Sequence, residues 1–224
     1  MNNQIALAAI YLIGISFLLV FNELIYRRLG LKGEITRKFA HFTATLSTIT
    51  FPYLFTDHWY VLVLAIFFFI LLYISRNGTQ LKSIHDIKRK SIGSYLLPLS
   101  IYLTFLISNL LNNKFIYILP IMILAICDPM AGVLGLNFEK NNKKIRLFGI
   151  ETKKTVLGSG SFLASSFIIS LVALYFNRME LDLKTFWLAL CIAIVSTLAE
   201  LISWRGSDNL FIPMTVLLML VLFL

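Results

Sequence analysis

Charge is scarce in this chain. Only 14% of its 224 residues are Asp, Glu, Lys or Arg, 58% are hydrophobic, and mean hydropathy is +0.84. Soluble domains carry about a quarter charged residues, so a surface solvated all round is excluded. Cysteine is nearly absent as well. Cys127 and Cys191 lie inside apolar runs, which argues against a disulfide or a cysteine-based metal site and leaves both as small core residues. Low-complexity tracts, internal repeats and any stretch polar enough for a separate soluble domain are missing too. Residues 1–224 therefore read as a single membrane domain. The first apolar run lacks the basic start and small-residue cleavage site of a signal peptide, so it reads as a helix that is kept.

What is present is a series of apolar runs of nearly 20 residues, rich in Leu, Ile and Phe. Runs of this length predict membrane-spanning helices rather than barrel strands. Eight are expected, at about 4–26, 38–56, 59–75, 94–112, 115–136, 160–176, 185–203 and 209–224. The predicted fold is an all-α polytopic bundle, with seven spans as the alternative because the last run is short.

The net charge is +9. In a soluble protein this would point to nucleic acid; here the positions matter more than the sum, and no nucleic-acid partner is expected. Of the 20 Lys and Arg residues, 17 fall in alternate loops and only Lys114, Arg178 and Lys184 in the others. The excess of cations on one side predicts that the four basic loops face the cytoplasm and that both termini lie outside. The inner membrane of a bacterium or archaeon is the expected location.

Ionisable side chains within spans are costly and mark functional candidates. Glu23, Asp128, Glu200 and Asp208 all fall at the predicted cytoplasmic helix ends, where they can converge in one layer. Asp128 precedes Pro129, whose missing N–H predicts a broken helix there, and Ala131 and Gly135 follow on one small-residue face. Such a face equally suits helix packing. Ser196, Glu200, Ser203 and Ser207 are spaced as one helical face. Asp208 and Asn209 open the last span, as an N-cap or as oxygen ligands for a hard cation. Arg37, His41, Thr45 and Thr48 share a face of the second span. His41 suits a general base, a phosphate contact or a satisfied interior histidine, and Arg37 and Lys38 suit phosphate contacts or membrane-surface anchors. His58 and His85 fall in loops without partners and receive no role. Glu23 and Arg27 read as an ion pair one turn apart. The stretch "KKTVLGSGS" places Lys153, Lys154, Thr155, Gly158 and Ser159 at a helix start, where backbone N–H groups and lysines suit an anion.

These pieces together resemble the CTP-dependent lipid-alcohol kinases, the group of dolichol kinase, phytol kinase and the CTP-dependent diacylglycerol kinase. The resemblance rests on Asp128, Ala131 and Gly135, then Lys153, Lys154, Thr155 and Gly158. "RKFAH", "RKSIGSYLLP" with Arg89, and "AELISWRGSDNLFIP" agree in order over residues 34 to 213. Two positions depart from the pattern: Glu139 stands where a glycine is expected and Leu157 where a glutamate is. In size the chain is closest to the prokaryotic phytol kinase-like members. The resemblance implies CTP as phosphoryl donor, Mg²⁺ or another divalent cation, and a membrane lipid alcohol as acceptor: phytol, a polyprenol or dolichol, or diacylglycerol. It implies nucleotide binding by Ala131, Gly135, Lys153, Lys154, Thr155, Gly158 and Ser159. Asp128, Glu200 and Asp208 are expected within about 10 Å of each other as metal ligands, with one of them or His41 as base. Arg37, Lys38, Arg89 and Asn209 are expected at phosphate or substrate. The alternatives are a phosphatidate cytidylyltransferase-like enzyme forming a CDP-lipid, and a small transporter.

Overall fold

A computed structural model describes residues 2–30, 33–76, 78, 80–85, 91–137, 143–147 and 150–224. The chain folds as α1 (Asn2–Leu29), α2 (Gly33–Ser47), a 3₁₀ turn (Thr48–Thr50), α3 (Phe51–Leu54), α4 (His58–Ser75), α5 (Lys82–His85), α6 (Gly93–Leu110) and α7 (Phe115–Asn137). A two-stranded hairpin follows, β1 (Lys144–Leu147) and β2 (Ile150–Thr155), and then α8 (Val156–Arg178), α9 (Leu183–Ile202) and α10 (Asp208–Phe223).

Among the described residues, six helices are long and apolar enough to cross a membrane: α1, α4, α6, α7, α8 and α9. At 1.5 Å per residue, even the 18 residues of α4 reach about 27 Å, close to the bilayer's apolar thickness. The shorter α10 and the segment α2–α3 complete the eight predicted runs. The second run is not one helix. It tightens into the 3₁₀ turn at Thr48–Thr50 and restarts with Pro52 in its first turn, where the missing N–H costs nothing. The outer faces are apolar, as lipid requires: Ile13 and Phe17 of α1 and Ile74 of α4 are each more than 60% exposed. Cys127 is buried as expected, but Cys191 is exposed on the outer face of α9 rather than packed in the core.

The centre of the bundle is α7. Tyr117, Leu119, Ile121, Ile123, Leu124, Ala125 and Cys127 are fully buried, which requires a helix apolar all round. One face, Tyr117 and Ile121, joins a core built with α1, α2, α3, α4 and α6, centred on Phe51 and Phe105. The other, with Leu119, Ile123 and Cys127, joins a core built with α8, α9 and α10. Contrary to the expectation of a break, α7 runs through both Pro120 and Pro129. The chain beyond it is not simply a basic loop either. Lys144–Leu147 pairs antiparallel with Ile150–Thr155, and Val156 N donates to Lys143 O at 3.0 Å, so α8 starts directly from the hairpin.

Both termini lie at the end of the bundle opposite the hairpin. Gln4 Nε2 donates to Leu54 O beside the start of α4, and α10 begins at the hairpin end and runs away from it. At the hairpin end the turn between α9 and α10 is pinned to the start of α6. Ile92 N donates to Arg205 O at 2.8 Å, and Asn209 Nδ2 donates to Gly93 O at 2.7 Å. Gly206 has φ of +93°, and a Cβ there would lie 2.6 Å from Gly93 N. Both the backbone conformation and the contact demand glycine. The proposed polar face Ser196–Glu200–Ser203–Ser207 is therefore cut short: α9 ends at Ile202 and Ser203 is already extended. Ser207 Oγ instead accepts from Trp204 N at 2.9 Å in the turn.

Replacing Gly206 by Ala is expected to lower stability by about 1–3 kcal/mol, read as a lower melting temperature of the purified protein in detergent. An unchanged melting curve would mean that the α6–α10 pin contributes nothing to the fold.

Candidate functional site

The hairpin end of the bundle gathers charges from five elements. Lys38, in the second turn of α2, reaches across to α7, and its Nζ lies 2.6 Å from Asp128 Oδ2 and 3.3 Å from Asp128 O. His41, one turn further along α2, places Nε2 at 3.1 Å from Leu124 O and 3.9 Å from Asp128 Oδ2. From β2, Lys154 Nζ lies 2.6 Å from Glu200 Oε1 at the end of α9 and 3.3 Å from Asp208 Oδ2 at the start of α10. A shared ammonium puts those two carboxylate oxygens within about 6 Å of each other. Glu200 Oε2 accepts from Ser159 Oγ of α8 at 3.0 Å. Asp128 and Glu200 are each 3% exposed, Lys38 7% and Asp208 9%, so these charges sit out of water and stabilise the fold only as pairs.

Small residues permit this packing. A Cβ on Gly132 would lie 2.6 Å from Lys38 Cε, so the lysine passes over a bare stretch of α7. One turn on, a Cβ on Gly135 would meet Thr155 Oγ1 at 3.0 Å, and one on Gly158 would meet Ala131 O at 3.0 Å. Ala131 and Gly135 are thus where α7 receives the start of α8, which brings β2 and Lys154 over the carboxylates. Thr155 caps α8, its Oγ1 accepting from Gly158 N at 3.2 Å. Two of the N–H groups expected to be open to an anion, those of Val156 and Gly158, are therefore engaged.

Electrostatics follow the pairing. Burial alone would discharge Lys154, but the carboxylates of Asp208, Glu200 and Asp128 outweigh it and hold its pKa above the ordinary lysine value. The stability this ammonium contributes is present below the ordinary lysine pKa and is lost only as pH rises past the raised one. The charge therefore persists throughout the neutral range.

Of the sequence candidates, Asp128, Lys38 and His41 form one cluster, and Lys154, Glu200, Asp208 and Ser159 another. Asp128 acts on Lys154 through space, which makes the two neighbours. Asn209 stands beside Asp208, its own N–H donating to Asp208 Oδ1 at 3.1 Å, while its side-chain amide is spent on Gly93. Arg37 is ion-paired with Glu34 on its own helix and lines a cavity described below. Arg89 and Glu139 lie outside the described residues, as does the side chain of Lys153. Among the described residues, no group of three or more His, Cys, Asp or Glu side chains is arranged to hold a metal ion by itself. Asp128 pairs directly with Lys38, whereas Glu200 and Asp208 both contact Lys154.

The chain matches a known pattern along most of its length: the family model described as "Cytidylyltransferase family" covers residues 3–206. The chain belongs to the cytidylyltransferase family. Members of this family are membrane enzymes that use CTP on lipids, and CTP-dependent lipid kinases are among them. The family match covers every residue of the charged layer except Asp208 and Asn209. No curated protein and no solved structure matches the chain.

Several contacts escaped the sequence reading. Glu23 does pair with Arg27 at 2.7 Å, but its second oxygen accepts from Ser83 N at 2.8 Å and ties α1 to α5. His58 and His85, expected to lack partners, have them. Tyr102 Oη lies 3.4 Å from His58 Nδ1, and Ser75 Oγ lies 3.1 Å from His85 Nε2. Both sit at helix ends, which periodicity within a span does not reach. Gly93 and Gly206 carried no signal beyond being glycines near spans.

The Lys38–Asp128 pair can be weighed by a double-mutant cycle. Lys38→Met leaves Asp128 buried and unpaired and is expected to cost about 3–5 kcal/mol, whereas K38M combined with D128N should recover most of that loss. Melting temperatures of the four proteins in one detergent give the coupling. Strictly additive losses would show that the two side chains do not interact.

Proposed function

We propose that this protein is a CTP-dependent lipid-alcohol kinase, moving the γ-phosphoryl group of CTP to the hydroxyl of a long-chain membrane alcohol. The supporting observation is a juxtaposition. The paired lysines and carboxylates at the hairpin end adjoin the mouth of an apolar cavity of about 340 Å³ that contains no charged residue in its deeper part. Arg37, His41 and Asn209 line the mouth of that cavity and belong to the same layer as Lys38, Asp128 and Asp208. A phosphate-bearing, water-soluble donor and an apolar acceptor thus have adjoining places. The excess of Lys and Arg in the loops at this end supports a cytoplasmic face for it, where CTP is available.

Each residue has a role in this reading. Lys154 and Lys38 exchange a carboxylate partner for phosphate oxygens and neutralise the triphosphate. Ser159, held by Glu200, fixes that carboxylate's orientation. Two carboxylates sharing one cation suit a divalent ion that takes its other ligands from the nucleotide. Glu200 and Asp208 would hold it, and its chemistry is neutralisation of charge on the transferring phosphoryl group. Asp128 orients the acceptor hydroxyl, with His41 beside it. The hydroxyl oxygen forms a bond to the γ-phosphorus, the bond from that phosphorus to the bridging oxygen breaks, CDP leaves, and the hydroxyl proton passes to Asp128. Such a transfer needs mainly positioning and charge neutralisation. A transporter reading is disfavoured because the charges lie in one end layer rather than at the midplane.

The competing family chemistry is a cytidylyl transfer, which joins the α-phosphorus to a lipid phosphate and releases pyrophosphate. Purified protein in liposomes, supplied with a lipid alcohol and CTP labelled at the γ or the α position, separates the two. The expected result is γ-label in the lipid and release of CDP. Transfer of α-label with release of pyrophosphate would overturn the kinase reading. Lys154→Met is expected to lower kcat/KM for CTP by about 10²-fold or more, the scale for loss of one preorganised charge-stabilising group.

A further inference from the structure

The apolar cavity carries information about the acceptor that the charged layer does not. It is lined by α1, α2, the 3₁₀ turn, α3, α4, α5 and α6, with Asn209 of α10. Its lining along α4 runs from Leu72 near the hairpin end to Val61 near the opposite end, roughly 16 Å at the helical rise. That is about half of the bilayer's apolar thickness. Its width is set by small residues, Ala40 and Ala44 on α2 and Ala65 on α4. Polar and basic groups lie at the mouth, and the deep end is closed by aromatic packing. Phe51, 2% exposed, is held edge-on between Tyr11, Phe55 and Phe105, with ring centroids 5.0, 5.2 and 6.4 Å away. The break of the second span places it there. Phe51 follows directly on the 3₁₀ turn at Thr48–Thr50 and lines the cavity together with Thr48.

We infer that this cavity is a hydrocarbon ruler: it takes the single chain of a linear alcohol from the leaflet on the hairpin side, with the hydroxyl at His41 and Asp128 and the chain end against Phe51. The inference rests on the lipid-alcohol kinase reading and narrows it. A cavity volume of about 340 Å³ suits one hydrocarbon chain rather than the two of a diacylglycerol. The mouth is shared with the charged layer: His41 Nε2 is 3.9 Å from Asp128 Oδ2, so a hydroxyl entering there arrives at the proposed base. The floor determines how long a chain can be while keeping its hydroxyl at that height. A pocket discriminates one methylene by about 10-fold or more, so the ruler has measurable consequences.

The test uses the full-length protein in detergent micelles with saturated and prenyl alcohols of graded length, and diacylglycerol as a separate arm. Wild type should show a sharp length limit and little transfer to diacylglycerol. Phe51→Ala should move the limit to longer chains, raising kcat/KM for the first excluded length by about 10-fold relative to its optimum. Ala65→Leu, which adds volume to the wall, should move it to shorter ones. A length profile unchanged in both variants, or diacylglycerol as the preferred acceptor, would overturn the ruler. Binding separates this outcome from failure of the kinase reading. A long-chain alcohol with a terminal photoreactive diazirine should label residues 48–61, whatever reaction the enzyme performs. If no alcohol is phosphorylated yet this segment is labelled, the cavity assignment stands and the reaction assignment falls. Labelling confined to the outer helix faces would remove the cavity assignment. Should Phe51→Ala fail to fold, Phe51→Leu and Ala65→Leu still give opposite shifts.

Discussion

A charge held beneath a membrane surface has to be paired, and this constraint organises the structure. Lys38 and Asp128 are 90 positions apart in the chain, and Lys154 is 46 positions from Glu200 and 54 from Asp208, yet each set meets within 3.3 Å. An unpaired carboxylate at 3% exposure would cost several kcal/mol. The pairs therefore dictate that α2 cross α7 at Asp128 and that the hairpin fold back over the ends of α9 and α10. The glycines follow from the same requirement. Gly132 clears a path for the Lys38 side chain, and Gly135 and Gly158 let α7 and α8 approach until Thr155 can cap α8. Small residues are often placed at helix contacts for packing alone. Here they also determine where the ammonium groups come to rest.

On the proposed kinase reading, the pairing also answers a difficulty inherent in a site for a triphosphate. Such a site needs concentrated positive charge, which repels itself when the nucleotide is absent. Storing each lysine against a carboxylate keeps the site folded in the interim, and the exchange of one oxygen partner for another alters the local charge count little. Lys154 shows this most clearly, since three carboxylates act on it and only two touch it. A lysine bound by two acids is well placed to yield one of them, because the other still satisfies it.

Much of this was legible in the amino acids. Seven of the eight apolar runs became single helices and the run at 38–56 became α2, a 3₁₀ turn and α3, while Asp128, Glu200 and Asp208, expected at helix ends on one side, lie at the hairpin end. What stayed hidden has a common cause. Periodicity compares a residue with its neighbours on the same helix, so it found the Arg37–His41–Thr48 face, which does line the cavity. It had no means of finding that Lys38, off that face, reaches Asp128. The same limit hid the joining of Gly93 to Gly206, a contact between backbones 113 positions apart. Proline misled in both directions. Pro129 lacks an N–H but lies in the fully packed part of α7, where tertiary contacts hold the helix together. The actual break fell at Thr48–Thr50, just before Pro52, where the hydroxyl of Thr48 bonds back to Thr45 O at 2.7 Å and the turn tightens. The hairpin was missed because its strands are four and six residues long and rich in lysine, a composition that reads as a loop.

On the proposed reading, the second span and the charged layer serve a single geometrical problem. A membrane enzyme that joins a polar donor to an apolar acceptor must hold one reactant in each medium with their reactive atoms in contact. Continuous helices alone would make a bundle packed to its ends, with no room for a chain beside the charges. The segment that tightens after Ser47 brings Thr48 and Phe51 to the lining of a space that also meets Val61 and His41. The α-helical part of the same segment, Gly33–Ser47, carries both Lys38, facing Asp128, and Ala40 and Ala44, facing the cavity. One short amphipathic helix thus forms the partition between the two media. Its polar end supplies Lys38 to the layer, and its small residues Ala40 and Ala44 line the cavity.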